Sequence, residues 1–150
     1  MTASYLKICE DSFDPEVEHK AFRDEVGGAG AIVAFTGLVR GEDENLTLTL
    51  SHYPDFTESQ ILEIAKIAET RWPLVGWRIL HRVGAIKPGE PIVFVATASR
   101  HRRAAFEAAD FLMDYLKSEA ALWKSESVDG NERWIEPRAQ DISDKKRWMD

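Results

Sequence analysis

Hydrophobic positions repeat with period two in some stretches and with helical period in others, and the switches divide the chain into elements. Leu6 and Ile8 share one face of a short strand over residues 5–9. Asp14-Pro15 predicts a helix start, an N-cap aspartate followed by proline at the first helical position. Val17, Ala21 and Phe22 give that helix a modest apolar face, and Gly27-Gly28 stops it. Residues 29–39, AGAIVAFTGLV, are small and β-branched and predict a buried strand that delivers Arg40 at its exit. An acidic loop follows, and then a strand over 46–53 with alternating Leu46, Leu48 and Leu50, broken by Pro54. Thr57 with Gln60 has the spacing of a capping box for a helix that buries Ile61, Ile64, Ala65 and Ala68. That helix must end near Trp72, because Pro73 follows. Strands over 77–83 and 91–98 are joined through a Lys87-Pro88-Gly89-Glu90 turn.

The longest periodic stretch begins after Ala98. Ser99 is the expected N-cap, which puts Arg100, His101, Arg102 and Arg103 in the first turn. Guanidinium groups oppose the helix dipole there, so two readings stay open: an anion held among the free amides, or a solvated basic turn facing acidic residues elsewhere. Arg103, Glu107, Asp110, Asp114 and Lys117 form one polar stripe, opposite a face built from Ala105, Ala108, Ala109, Leu112 and Leu116. Lys124 follows in a segment, 120–126, that has left helical period and predicts a strand. It pairs in a hairpin with 132–136 around Asp129-Gly130. The last dozen residues are charged and weakly periodic apart from Trp148. Strands and helices mix without strict alternation, so the expected class is α+β, a mixed or antiparallel sheet with packed helices.

Composition narrows the function. A chain of 150 residues with 44% hydrophobic positions predicts one globular domain over 1–150. A net charge of −7 argues against general nucleic-acid binding, so a basic cluster here is local and suits a small anion. One cysteine, Cys9, excludes an internal disulfide and fits a reducing cytoplasm. Its one cationic neighbour in sequence is Lys7, so an inert packing role is expected. The start of the chain has no basic region before an apolar core, and no apolar run approaches the length of a bilayer span, so neither a signal peptide nor a membrane segment is expected.

Four histidines, His19, His52, His81 and His101, are scattered without metal spacing, and no nucleophile elbow or phosphate-cradling glycine loop is present. His52 and His81 fall on strands, where packing roles are expected. What remains is a cationic set: Arg40, His101, Arg102, Lys117 and Lys124. Such a set can grip phosphate through planar guanidinium forks. It can also supply a lysine whose pKa falls through burial and like-charge repulsion.

AGAIVAFTGLVR, LSHYPDFTESQ, the long segment from HRVGAIKPGE to LWKSE, and RWIEPR occur in the order of one family. Together, over roughly residues 29–141, they resemble the large, catalytic subunit of molybdopterin synthase, the MoaE family. The resemblance implies an α/β hammerhead fold and a homodimer, with a small ubiquitin-like sulfur carrier on each large subunit. The implied reaction installs the two dithiolene sulfurs of molybdopterin on cyclic pyranopterin monophosphate, each from a thiocarboxylate at the carrier's Gly-Gly terminus. Position by position it implies Lys117 and Lys124 as catalytic, with Arg40, His101, Arg102 and, more weakly, Arg138 on the substrate. It implies no cofactor and no metal at this step. Ser51, where the family often has glutamate, Asp55, where it often has glycine, and the short loop after Arg40 depart from the pattern. An adaptor that only binds a ubiquitin-like tail is the competing reading, but it would not need the pterin-phosphate grip. A phosphoesterase with His101 as base lacks a nucleophile.

His101 and Lys117 lie sixteen residues apart on the expected helix, or roughly 24 Å at 1.5 Å per residue. Side chains cannot close that gap within one chain. If both groups serve one substrate, as the resemblance implies, the spacing predicts a composite site at a dimer interface, with Arg40, Lys117 and Lys124 from one chain and His101 and Arg102 from its mate; the alternative is that the first turn binds a structural anion within its own subunit.

Overall fold

The computed structural model describes residues 2–41, 43–136 and 138–149. In chain order the elements are β1 (Ala3–Cys9), α1 (Pro15–Glu25), β2 (Ala31–Leu38), β3 (Leu46–His52), α2 (Phe56–Arg71) and β4 (Leu74–Arg82). They continue with β5 (Gly84–Ile86), β6 (Pro91–Ser99), α3 (Arg102–Ser118), β7 (Leu122–Val128), β8 (Asn131–Ile135) and α4 (Ala139–Lys146). Two four-stranded sheets result, ordered β1-β4-β6-β2 and β5-β3-β7-β8. Among the described residues only the β1–β4 pair is parallel; the other pairs are antiparallel.

The period-two pattern of the central strands explains the layers. Trp77, Ile79, Val93 and Val95 face one way, toward Ile61, Ala65 and Ala68 of α2 and Phe111, Leu112 and Leu116 of α3. Leu48 and Leu50 bring the inner face of the second sheet onto the same core. Leu80, Phe94, Ala96 and Ala98 face the other way, toward Phe22 of α1. Phe22, Phe94 and Phe111 are the largest fully enclosed side chains, and truncating any of them to alanine costs about 3–5 kcal/mol.

Several expectations hold. Asp14 caps α1 through a 2.9 Å bond from the Glu16 amide, with Pro15 next. The β7–β8 hairpin turns at Asp129 and Gly130, whose φ values of 51° and 85° are both positive, as the two-residue turn requires.

Others are overturned. Residues 29–39 are not a buried strand: β2 is an edge, paired with β6 alone, and its Phe35 and Leu38 are 42% and 55% exposed. Ser99 is not an N-cap but the last residue of β6, its hydroxyl donating to the Pro73 carbonyl at 2.8 Å. The helix starts two residues later than the first-turn reading requires. Arg100 precedes it, His101 is its N-cap without a side-chain cap bond, and only Arg102 and Arg103 of the four cations are helical.

Thr57 and Gln60 form no capping box either, since α2 begins at Phe56 with Asp55 at the cap. Their polar atoms turn outward from the helix end to a distant backbone, because an unpaired strand entrance needs them more than the helix does. Thr57 Oγ1 donates to the Ala121 carbonyl at 2.8 Å, and Gln60 Oε1 accepts from the Ala121 amide at 2.7 Å. β5 was absent from the pattern because three residues carry no period.

Residues 139–149 also fold, as α4 and a docked Trp148. The cause is the stripe on α3. Asp114 accepts from Trp148 Nε1 at 2.5 Å and pairs with Arg147 at 2.8 Å, while Asp110 pairs with Arg147 at 2.7 Å. Glu107 accepts from Trp72 Nε1 at 2.9 Å. The polar stripe is thus a docking face for the chain's end.

Candidate active site

The sheets, α3 and α4 enclose a cavity of about 350 Å³ that gathers Arg40, Lys117, Lys124 and Arg138. Each arrives from a different element. Arg40 leaves β2, Lys117 sits in the last turn of α3, Lys124 lies on β7, and Arg138 is the N-cap residue of α4. β7 is in register with β3, Leu50 opposite Lys124, so the lysine shares the inner face with the buried leucines. The double tie from Thr57 and Gln60 fixes Ala121, three residues before Lys124.

Burial of Lys124 comes first in lowering its pKa to about 8, followed by the positive charge of Lys117 and a hydrogen bond with it; Asp141 opposes the shift. A neutral Lys124 amine can accept from the Lys117 ammonium. The pair therefore offers one cation and one accessible base in the same cavity.

Four titratable cavity residues lay outside the sequence-derived set: His81, Glu126, Glu136 and Asp141. Asp141, in the first turn of α4, brings a carboxylate among the cations. Nothing in the weakly periodic tail pointed to it. His81 lines the inner wall from β4 and is 8% exposed. Burial, with Lys124, Lys117 and His52 nearby, lowers its pKa to about 4, against a raising effect of the Arg82 carbonyl. Its signal in the sequence was a polar residue between Ile79 and Val83 on an otherwise apolar strand face.

His101 and Arg102 are elsewhere. They line a second, more open concavity with Gly30, Arg100 and Arg103 at the opposite end of α3, and the two cavities share no residue. Gly30 is required there: its amide donates to the Ser99 carbonyl at 3.0 Å, and a Cβ would stand 2.2 Å from the Arg100 carbonyl oxygen. The close approach pins the start of β2 beside the basic turn.

Cys9 is half-buried, and burial raises its thiol pKa. Arg82 joins Lys7 as a cationic neighbour, which the sequence did not indicate, yet desolvation outweighs both. Among the described residues no group of three or more His, Cys, Asp or Glu is placed to hold a metal ion. No helix among them is long and apolar enough to cross a membrane.

This α+β fold has known counterparts. The family model described as MoaE protein matches residues 8–119. The chain is 50% identical over 144 residues to the molybdopterin synthase catalytic subunit of Caulobacter vibrioides, covering 95% of this chain and 96% of the relative. A solved structure, molybdopterin cofactor biosynthesis protein E from Burkholderia multivorans, superposes with a TM-score of 0.84 at 38% identity, covering 100% of this chain and 99% of that one. The same fold occurs, at a TM-score of 0.77 and 22% identity over 89% of this chain and 91% of that one, in a protein–protein complex of subunits 1 and 2 of the molybdopterin-converting factor from Helicobacter pylori. This chain belongs to the MoaE family.

Proposed function

We propose that this chain is the catalytic subunit of a molybdopterin synthase, a cytoplasmic sulfurtransferase acting as a homodimer with a small sulfur carrier on each protomer. The carrier is ubiquitin-like and ends in a Gly-Gly thiocarboxylate; the other substrate is cyclic pyranopterin monophosphate. The observation that carries the reading is the convergence of Lys117 and Lys124 with Arg40 and Arg138 in one cavity of a MoaE-family fold. Both reactants are anionic, and one basic cavity attracts both.

Each transfer exchanges oxygen for sulfur: the carrier's thiocarboxylate becomes a carboxylate, and a pterin side-chain carbon takes the sulfur in place of an oxygen. No electron is gained or lost. Lys117 acts at the carrier's terminal carbonyl and the reacting carbon, as acid–base group or transient covalent partner. Lys124, with its pKa near 8, assists it and stabilises developing negative charge. Arg40 and Arg138 hold phosphate and polar pterin groups.

His101 and Arg102 complete the site from the partner protomer. Separation of the two basic cavities along α3 supports this arrangement, since His101 cannot reach Lys117 within its own chain. The exposed edge of β2 and its Phe35 and Leu38 offer a surface for pairing two copies.

The test is incubation with thiocarboxylated carrier and cyclic pyranopterin monophosphate, scoring the dithiolene product. Absence of product from the folded protein rejects the reading. Mixing inactive His101→Ala and Lys117→Ala dimers tests the shared site. After subunit exchange, one centre per heterodimer holds both intact groups, and activity returns. With exchange verified, no recovery rejects the composite arrangement.

A further inference from the structure

His81 is a polar residue on an apolar surface. Trp77 and Ile79, its neighbours on the same face of β4, and Val83, just past the strand's end, all pack into the main core, and Val93 lies opposite it on β6. Its ring is tied at one end only. Nδ1 lies 2.9 Å from the Arg82 carbonyl oxygen. A carbonyl oxygen only accepts, so Nδ1 carries the proton and donates. Nε2 is then left with its lone pair exposed.

That nitrogen has no hydrogen-bond partner among the described residues. The one completely enclosed side-chain nitrogen or oxygen without a partner among them is Arg82 Nε, so His81 Nε2 keeps access to the cavity its ring lines. A side chain more than nine-tenths buried thus aims an unpaired acceptor into the basic cavity. Burial first, and then the charges of Lys124, Lys117 and His52, oppose a second proton on the ring. The imidazole therefore stays a neutral acceptor across the physiological range.

We propose that His81 is a further substrate-contacting residue of this cavity, its Nε2 accepting a hydrogen bond from a hydroxyl or ring N–H of the pterin substrate. This rests on the synthase reading given above. The chemistry divides the cavity. A cyclic phosphodiester and a thiocarboxylate carry no proton at neutral pH, so neither can satisfy Nε2; both belong with Arg40, Arg138 and the lysines. A donor group of the pterin body can. His81 thereby orients the substrate, fixing which end turns to the inner wall and which to the arginines, without adding charge.

Two substitutions separate this role from a structural one. His81→Asn keeps an N–H near the Arg82 carbonyl but loses the acceptor at the Nε2 position; His81→Gln keeps an acceptor there but loses the Nδ1 tie. In the assay with thiocarboxylated carrier, His81→Asn is expected to raise KM for cyclic pyranopterin monophosphate about tenfold, with affinity for the carrier unchanged. His81→Gln stays within about threefold of wild type. An active wild type with unchanged KM in His81→Asn, or a worse defect in His81→Gln than in His81→Asn, overturns the proposal. Nitrogen-15 NMR of labelled histidine in the wild-type protein decides it without turnover. The His81 Nε2 resonance is expected to shift on adding cyclic pyranopterin monophosphate and to stay fixed on adding a carrier-tail peptide; no shift with the pterin overturns the assignment. Failure of the synthase reading is seen separately, as an inactive wild type.

Discussion

Thr57 Oγ1 donates at 2.8 Å to the carbonyl of Ala121, a residue 64 positions away, and accepts at 3.0 Å from the Tyr53 amide. The hydroxyl is fully enclosed. Helix α2 thereby holds the start of the strand that carries Lys124. Thr57→Val keeps the shape and removes both bonds, leaving a backbone carbonyl and an amide unpaired. A loss of about 2 kcal/mol follows, or roughly 4–8 °C in Tm by calorimetry. Sulfur transfer is expected to fall as well, even at temperatures where the variant is folded, because Lys124 loses its fixed origin.

Lys117→Ala is expected to abolish transfer while leaving Tm within a few degrees, because Lys117 is exposed at the end of α3. Lys124→Ala is expected to be impaired less completely. The same pair makes a titration prediction. Burial and Lys117 lower Lys124 to about 8, so removing the Lys117 charge raises that value. Carbon-13 NMR of labelled lysine measures it: a Lys124 midpoint unmoved in Lys117→Ala contradicts the coupling.

His81 makes stability depend on acid. Its pKa is about 4 in the folded protein against 6.5 when unperturbed. Between those values the unfolded chain binds the proton and the folded one does not. The group's contribution is complete above pH 6.5 and is lost as pH falls toward 4. The swing is at most about 3 kcal/mol. Urea unfolding at pH 4.5 and 7 is expected to show a smaller loss for His81→Asn than for wild type; equal losses contradict a buried neutral ring.

Asp55 holds φ 68° and ψ −46°, and the Phe56 amide donates to the Pro54 carbonyl at 2.8 Å across it. That is a γ-turn of the strained hand. The Asp55 side chain makes no cap bond in return. Asp55→Gly relieves the strain and is expected to raise Tm by a few degrees, despite losing a carboxylate near the start of α2. A lower Tm would show that the charge at the helix start outweighs the backbone.

The sequence by itself determined the elements whose signal is local. The leucine alternation of β3, the Asp14-Pro15 start of α1, the Asp129-Gly130 turn and the apolar face of α3 are set by residues within a few positions of one another. It also determined that Lys117 and His101 lie at opposite ends of one helix, because helical rise is fixed and no glycine or proline interrupts the span. Tertiary structure decided the rest. Ser99, Thr57 and Gln60 carry capping chemistry, yet their bonds run to Pro73 and Ala121, since buried backbone groups on distant segments had no other partner. Asp110 and Asp114 lie on the polar stripe of α3, and only packing brings Arg147 and Trp148 onto them. His81 and Asp141 join the cavity only through packing that brings β4 and α4 beside Lys124. Such residues have no periodic signature, because a long-range hydrogen bond or a shared cavity depends on how the layers close and not on spacing along the chain.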